Sequence, residues 1–242
     1  MANPTAAMLV IGDEILSGRT RDSNTNHLAQ ELTSHGITLA EVRMVPDNIA
    51  VIIDAVRALS DAYDHVFTSG GIGPTHDDIT ADAIAEAFGV GLDVRDDARE
   101  LMQAHYDRAG MEFNAARMRM ARIPDGASLI ENPVSVAPGF TVENVHVMAG
   151  VPAVFEAMVA SIVPTLASGE QVLSQSLRVL RGEGDIAGPL GEVAKAHPEV
   201  SIGSYPFTRD GVFGSNIVVR STDGAAVDAV ITELARLFHV RR

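Results

Sequence analysis

Ser69-Gly70-Gly71-Ile72-Gly73-Pro74-Thr75-His76-Asp77-Asp78-Ile79-Thr80 is the stretch whose reading decides the fold. It follows a β-type run, His65 to Thr68, and precedes a helical pattern with Ile79, Ala83, Ile84, Ala87 and Phe88 on one face. A strand–glycine loop–helix unit brings bare backbone N–H groups and a helix N-terminus up to an anion. The adjacent carboxylates Asp77 and Asp78 add the hard oxygen donors that Mg²⁺ or Mn²⁺ takes. The stretch therefore predicts a site for a phosphorylated small molecule with a divalent metal.

Working outward, the same alternation repeats. Ala6 to Ile11 is continuously apolar, as a strand buried on both faces must be. Asn24 to His35 carries Leu28, Ala29 and Leu32 at helical spacing and stops at Gly36. Leu39 to Val45 reads as a second strand and Ile49 to Ala62 as a second helix, while the helix after the glycine loop ends at Gly89. This β-α-β-α-β-α order with short loops predicts an α/β fold: a mostly parallel sheet with helices on both faces. Asp96 to Arg122 reads as two helices broken near Gly110. Ser128–Ile130, Gly139–Glu143 and Val145–Met148 read as short strands, the last two a hairpin about Asn144, and Pro152 to Leu166 as an apolar helix.

Ala167-Ser168-Gly169 marks a domain boundary, dividing the chain into 1–168 and 170–242. Beyond it, Gln171–Leu180 reads as a strand, Ile186–Ala196 as a helix, Val200–Tyr205 and Gly214–Arg220 as paired strands, and Gly224–Phe238 as a closing helix. A small α+β domain of β-α-β-β-α order is expected there.

Composition excludes several classes. The absence of Cys removes disulfides, thiolate nucleophiles and Cys-based metal sites. A formal charge of −14 disfavours nucleic acid and anionic membranes as partners. The 242 residues hold no apolar run long enough for a signal peptide or a span, so a cytoplasmic protein is expected. Arg108, Arg117, Arg119 and Arg122 form a basic cluster that is either a solvated face or an anion contact, with Arg241-Arg242 at the C-terminus.

Four loops carry candidate chemistry. Gly12-Asp13-Glu14-Ile15-Leu16-Ser17-Gly18 is neither a dinucleotide fingerprint nor a Walker loop, and its Asp13 and Glu14 suit either metal ligation or helix capping. Asp22-Ser23-Asn24-Thr25-Asn26 suits capping, with Ser23 or Asn24 as the cap, and amide presentation. In Val45-Pro46-Asp47-Asn48, Asp47 suits capping of the next helix or a place beside Asp77 and Asp78. In the glycine loop a turn capped by Thr75 or Asp77 is the bland alternative, and His76 suits either proton transfer or a loop hydrogen bond.

These motifs, together with the forms G-D-E-I-L and G-G-I-G-P-T-H-D-D, resemble the MoaB/Mog-type molybdopterin-binding domain. Within that family they are similar to the branch at the N-terminus of CinA-like competence/damage-inducible proteins, and to the N-terminal domain of eukaryotic FAD synthase. The resemblance covers Ala6 to Leu166, and the segment from Glu170 is similar in length and order to the small domain that follows in CinA-like proteins. It implies a three-layer αβα domain, usually a homo-oligomer, with two precedents. One is binding of molybdopterin with adenylation or metal insertion. The other is hydrolysis of the diphosphate of ADP-ribose or FAD with a divalent metal (Mg, Mn or Co) and potassium.

The positions matching the family's catalytic acids are Asp47 and Asp78, with Asp13, Glu14 and Asp77 as further metal ligands. The implied ligand- and phosphate-binding set is Gly12, Asn24, Asn26, Ser69, Gly70, Gly71, Gly73, Pro74, Thr75 and Gly139. Two motifs depart from the family pattern. Ser135 replaces the inner glycine of N-P-x-G-x-A-P-G, and Met148 to Phe155 lacks the glutamate of L-P-G-V-P-x-E-M. A third reading, a non-enzymatic nucleotide-binding or regulatory remnant, follows from these departures. Neither the amidase domain of full CinA-like proteins nor the adenylyltransferase domain of FAD synthase is matched, so neither deamidation of nicotinamide mononucleotide nor FAD synthesis is expected of this sequence.

Overall fold

The computed structural model describes residues 3–240 except residue 210. The described chain divides into two compact units, residues 1–169 and 170–242. The C-terminal Arg241 and Arg242 lie outside the described residues.

In the first unit the elements are β1 (Thr5–Ile11), α1 (Asp13–Leu16), α2 (Asn24–Ser34), β2 (Thr38–Val45), α3 (Ile49–Ala62), β3 (His65–Ser69) and α4 (Thr80–Phe88). They are followed by β4 (Leu92–Val94), α5 (Asp96–Arg108), α6 (Ala115–Met118), β5 (Arg122–Pro124), β6 (Ser128–Ile130), β7 (Gly139–Val142), β8 (Val145–Met148) and α7 (Pro152–Ile162). The main sheet has the order β2-β1-β3-β8-β7-β6. Its β2, β1, β3 and β8 run parallel, and β7 turns antiparallel to both β8 and β6.

The alternation of strand side chains builds the layers. On β1, Ala7, Leu9 and Ile11 point into a core shared with Ile52, Val56 and Leu59 of α3 and Ala83 and Ile84 of α4. Ala6, Met8 and Val10 point the other way, into a core with Leu28 and Leu32 of α2 and Phe155, Met158 and Val159 of α7. A period of two on the strand against one of 3.6 on the helices is what makes the two cores separate and continuous. Removing Leu9, fully buried in the middle of the sheet, leaves a cavity worth about 3 kcal/mol.

One region departs from the sequence reading. Asp96 to Arg122 is not helical throughout: after α5 and the single-turn α6 the chain extends into β5, which pairs antiparallel with β4 through Leu92–Pro124 and Val94–Arg122. Three-residue strands bearing an arginine and a proline carry no period-two signal, so tertiary pairing decides them. The apolar helix from Pro152 also ends early, at Ile162, and passes into a 3-10 turn that contains Pro164.

The second unit consists of β9 (Leu173–Val179), α8 (Glu183–Ala196), β10 (Ser201–Arg209), β11 (Val212–Ser221) and α9 (Gly224–Leu237). The strands form an antiparallel sheet of order β10-β11-β9, and Leu177, Val179, Ile217 and Val219 pack with Val227, Val230, Ile231 and Leu234 of α9. Helix α8 starts three residues before the expected Ile186 and runs through Pro189, whose exposed position lets the helix continue with one backbone bond lost. Among the described residues no helix is long and apolar enough to cross a membrane.

Candidate active site

The loops after β1, β2, β3 and β8 leave the same carboxyl edge of the parallel sheet, where open α/β sheets bind ligands. The glycine loop is held there from both ends. Gly70 adopts φ 112° and its N–H donates to the Met148 carbonyl at 3.1 Å, while its Cα lies 3.3 Å from where a Cβ on Gly150 would stand. A Cβ on Gly70 would overlap the Ile11 carbonyl oxygen, so only glycine lets β1, β3 and β8 end this close together. Buried Thr80 closes the loop: its N–H donates to the Gly71 carbonyl and its hydroxyl to the Gly70 carbonyl, both at 2.9 Å.

Among the described residues the consecutive N–H groups of Gly71, Ile72 and Gly73 have no protein acceptor. Successive free amides in a glycine-rich bend are the donors from which an anion nest can be made. Gly70, expected among the phosphate binders, has its amide engaged by Met148 and serves the turn instead. Beside these amides, Asp78 folds its carboxylate back along the loop. Its Oδ2 accepts from the Thr75 N–H at 2.8 Å and the Thr75 hydroxyl at 2.6 Å, and it stands 2.7 Å from where a Cβ on Gly73 would be. Thr75 is thus tied to Asp78, neither Thr75 nor Asp77 caps α4, and the helix begins at Thr80. Pro74, Thr75, His76 and Asp77 form the exposed tip of the loop, with His76 Nδ1 3.8 Å from Asp77.

Asp47 does not cap α3: Asn48 does, accepting the Val51 N–H at 3.3 Å. Asp47 instead accepts the Asp13 N–H on Oδ2 at 2.9 Å, joining the loops after β1 and β2. Burial, joined by the negative charges of Asp13, Glu14 and Asp77 and opposed by the Asp13 N–H, raises the Asp47 carboxyl above the ordinary aspartate range. Glu14 bends over Gly12, whose N–H is bound to the Val45 carbonyl at 3.1 Å.

Asn24 is buried and bridges two loops, its amide donating to Ser69 Oγ and to the Gly150 carbonyl, each at 2.8 Å, while its Oδ1 has no partner. Neither Ser23 nor Asn24 caps α2. The Asp22 carboxylate does, accepting from the N–H groups of Asn24 and Thr25 at 3.0 and 3.3 Å. Asn24 and Ser69 line a cleft with Glu14, Asp22, Gly150 and Pro152; Asn26 is exposed on α2 and does not line it. Gly139 is a packing residue: a Cβ there would overlap the Val147 carbonyl oxygen across the β7–β8 pair.

The basic cluster resolves into clamps. Arg122 pairs with Asp82 in the first turn of α4 at 2.5 and 3.1 Å, and Arg119 reaches the Asp78 carbonyl at 3.0 Å. Arg117 lies over the Tyr106 ring at 4.6 Å, and Arg108 donates to the Ala104 carbonyl in its own helix. Sequence reasoning missed Arg119 as a loop residue because forty-one positions separate it from Asp78. It lines the same recess as Gly71, Gly73 and Asp78, and its Nε is buried without a partner.

Ser135 is accommodated because its backbone is not left-handed. The positive φ falls one residue later, at Val136 (69°), and Ser135 Oγ accepts from the Asn132 amide at 2.7 Å. Asn132 also donates to the Ala137 carbonyl and accepts from the Val134 and Ser135 N–H groups.

The donor set bears on a cation. Among the described residues no three acidic or imidazole side chains converge on one point as a metal cage. Asp47 nevertheless senses Asp13, Glu14 and Asp77 together. Carboxylate oxygens are the donor type that Mg²⁺ takes, one or two at a time alongside waters and ligand phosphates.

Comparison with known proteins agrees with this fold. The probable molybdopterin binding domain family matches residues 7–168, and the chain belongs to it. Its place is the CinA-like branch near FAD synthase, for the FAD synthase middle domain matches residues 171–241. An Archaeoglobus fulgidus protein is 35% identical over 199 residues, covering 82% of this chain and 84% of its own length. A probable FAD synthase of Caenorhabditis elegans is 30% identical over 258 residues, which span 96% of this chain and 50% of that protein. The crystal structure of the protein CinA with unknown function from Thermoplasma acidophilum superposes with a TM-score of 0.62 at 32% identity, over 68% of this chain and 99% of that one.

Proposed function

We propose that the first unit hydrolyses the diphosphate of a nucleotide of the ADP-ribose or FAD type with a divalent cation. The observation that carries this reading is the run of free amides at Gly71, Ile72 and Gly73 beside Asp78, on the same carboxyl edge of the sheet as Asp47, whose carboxyl is raised by burial and by the charges of Asp13, Glu14 and Asp77. These amides hold a phosphoryl group by hydrogen bonds that strengthen as negative charge builds on its oxygens. Asp47, held above the usual aspartate range, takes a proton from the attacking water. The new P–O bond forms as the P–O bond to the bridging oxygen breaks, giving two phosphomonoesters. A divalent ion, held by Asp47, Asp78 or their neighbours Asp13, Glu14 and Asp77, supplies charge neutralisation at the phosphates when bound; potassium belongs to the same reading. Arg119 positions the loop through the Asp78 carbonyl.

A second reading, molybdopterin binding or adenylation, is favoured by the family match itself. The buried, unpartnered Asn24 Oδ1 in the cleft is a hydrogen-bond acceptor for a pterin's amino groups. A homo-oligomer belongs to both readings, with exposed Val42, Met44, Ile49 and Val51 around edge strand β2 as an apolar face; light scattering on the eluted protein gives its mass. Product analysis separates the readings. Release of AMP from ADP-ribose or FAD with Mg²⁺, Mn²⁺ or Co²⁺ supports the hydrolase. Tight pterin binding with no turnover of either dinucleotide supports the alternative, and nucleotide binding with neither leaves a non-enzymatic module.

A further inference from the structure

The sheet of the second unit packs both of its helices against one face. Leu177 and Val179 of β9, Ile202 of β10 and Ile217 and Val219 of β11 point into the core with α8 and α9. Strand side chains alternate, so Arg178, Tyr205, Phe207, Asn216, Val218 and Arg220 point the other way. The register sets three of them in one row across the three strands: Tyr205 pairs with Asn216, and Asn216 with Arg178. Residues directly opposite hold their Cβ atoms about 5 Å apart.

The aromatic rings lie along the sheet. A Cβ on Gly203 would stand 3.1 Å from both Cε2 and the hydroxyl oxygen of Tyr205, and Tyr205 is 48% exposed. Phe207 covers Gly214 in the same way, with the Arg178 guanidinium 4.1 Å from its ring centroid. Covering glycines accounts for the posture of the rings. It does not account for an amide and a guanidinium aligned with them. Among the described residues neither the Tyr205 hydroxyl nor the Asn216 side chain has a hydrogen-bond partner. Charge fits an anionic occupant, for Arg178 and Arg220 are both exposed. The net charge of −14 sits almost wholly in the first unit: residues 170–242 hold nine of the 32 Asp and Glu residues and eight of the 18 Lys and Arg residues.

We propose that this face binds a single strand of nucleic acid, one base stacked on Tyr205 with its edge at Asn216 and backbone phosphates at Arg178 and Arg220. An aromatic ring stacks any base, an amide offers a donor and an acceptor to a base edge, and guanidiniums take phosphate oxygens. A duplex keeps its bases stacked on one another and offers none to the ring. A free nucleotide meets a flat surface here, whereas small-molecule sites are concave. Asn216 and Arg220 stand four residues apart on β11, about 14 Å, a span that a chain of nucleotides follows and a single one does not. The site does not rest on the hydrolase reading and needs no metal.

Anisotropy of a labelled oligouridine, titrated with the full chain at low salt without divalent metal, tests the proposal. Binding is expected, with log K against log salt sloping at about −1.4 for two phosphates of a single strand. Tyr205→Leu still covers Gly203 but has no ring, and should weaken binding about fivefold or more, while Tyr205→Phe should retain it. Arg220→Gln, at an exposed position, should flatten the slope by about 0.7. No binding at low salt, binding that Tyr205→Leu leaves unchanged, or a slope that Arg220→Gln leaves unchanged overturns the proposal. Equal affinity for a duplex overturns it too, as does displacement of the oligouridine by uridine monophosphate at equal nucleotide concentration, which assigns the face to a free nucleotide. Failure of dinucleotide hydrolysis leaves these readouts untouched, so the two proposals stand or fall separately.

Discussion

The Asp13 N–H donates to Asp47 Oδ2 across 2.9 Å, and this bond ties the loop after one strand to the loop after its parallel neighbour. It stabilises the carboxylate, yet burial and the surrounding acids win, and Asp47 stays raised. A carboxyl raised on folding contributes stability at low pH that is lost as pH rises through its folded value. At neutral pH ionised Asp47 therefore costs stability. Asp47→Asn keeps an oxygen for the Asp13 N–H and removes the charge, so it should leave the fold as stable or a few tenths of a kcal/mol more so, after solvent screening. Turnover of the same variant should fall about a hundredfold or more. Denaturant melts and rates on one preparation check both halves.

Gly70 and Gly18 make a matched pair for the loop. Both have positive φ, 112° and 73°, but a Cβ at Gly18 meets nothing within 4 Å whereas one at Gly70 overlaps the Ile11 carbonyl oxygen. Gly18→Ala should cost about 1 kcal/mol from backbone conformation alone. Gly70→Ala should cost clearly more, about 3 kcal/mol, because strand backbone must move. Equal losses in urea unfolding would show that the close approach of β1 and β3 does not constrain the loop.

Asn132 is the staple of the segment before β7. It is buried and makes two donated and two accepted hydrogen bonds around Ser135 and the left-handed Val136. Asn132→Ala should destabilise the first unit by about 2 kcal/mol, since the part-buried bonds to the Val134 and Ser135 N–H groups and the Ala137 carbonyl are lost together. Ser135→Gly removes only the acceptor of one bond and should cost about 1 kcal/mol, so reinstating the family glycine brings no gain in stability.

The glycine loop, the parallel sheet and the two-unit division are legible in the sequence because each has a local signature: continuous apolar strands, helical spacing, glycines before acids. What local pattern does not carry is pairing across distance. The β4–β5 ribbon, the cap supplied by Asp22, the capture of the Thr75 hydroxyl by Asp78 and the reach of Arg119 to the loop all depend on tertiary placement. Asn26 shows another limit of local pattern, for its place in a recognisable motif does not say that it lies on the exposed face of its helix, away from the cleft that Asn24 lines.

His146 sets an acid limit on stability. It is buried on β8 between Thr141 and His65, at 3.0 and 3.3 Å, and burial pushes its pKa down to about 3. His65, also lowered by burial, acts in the same direction. A histidine depressed on folding gives stability that is present above its unfolded value near 6.5 and is lost as pH falls towards 3. Between pH 7 and 5 this one group should remove about 2 kcal/mol. His146→Phe should flatten that slope, and an unchanged slope would place the titration elsewhere.

The most direct measurement is the rate of AMP release from ADP-ribose and FAD with Mn²⁺ or Co²⁺, for wild type, Asp47→Asn and Asp78→Ala. Metal-dependent release in the wild type that falls at least a hundredfold in both variants is the expected result. Release that persists in both variants, or none from the folded wild type with any of the metals, would contradict a hydrolase centred on the glycine loop.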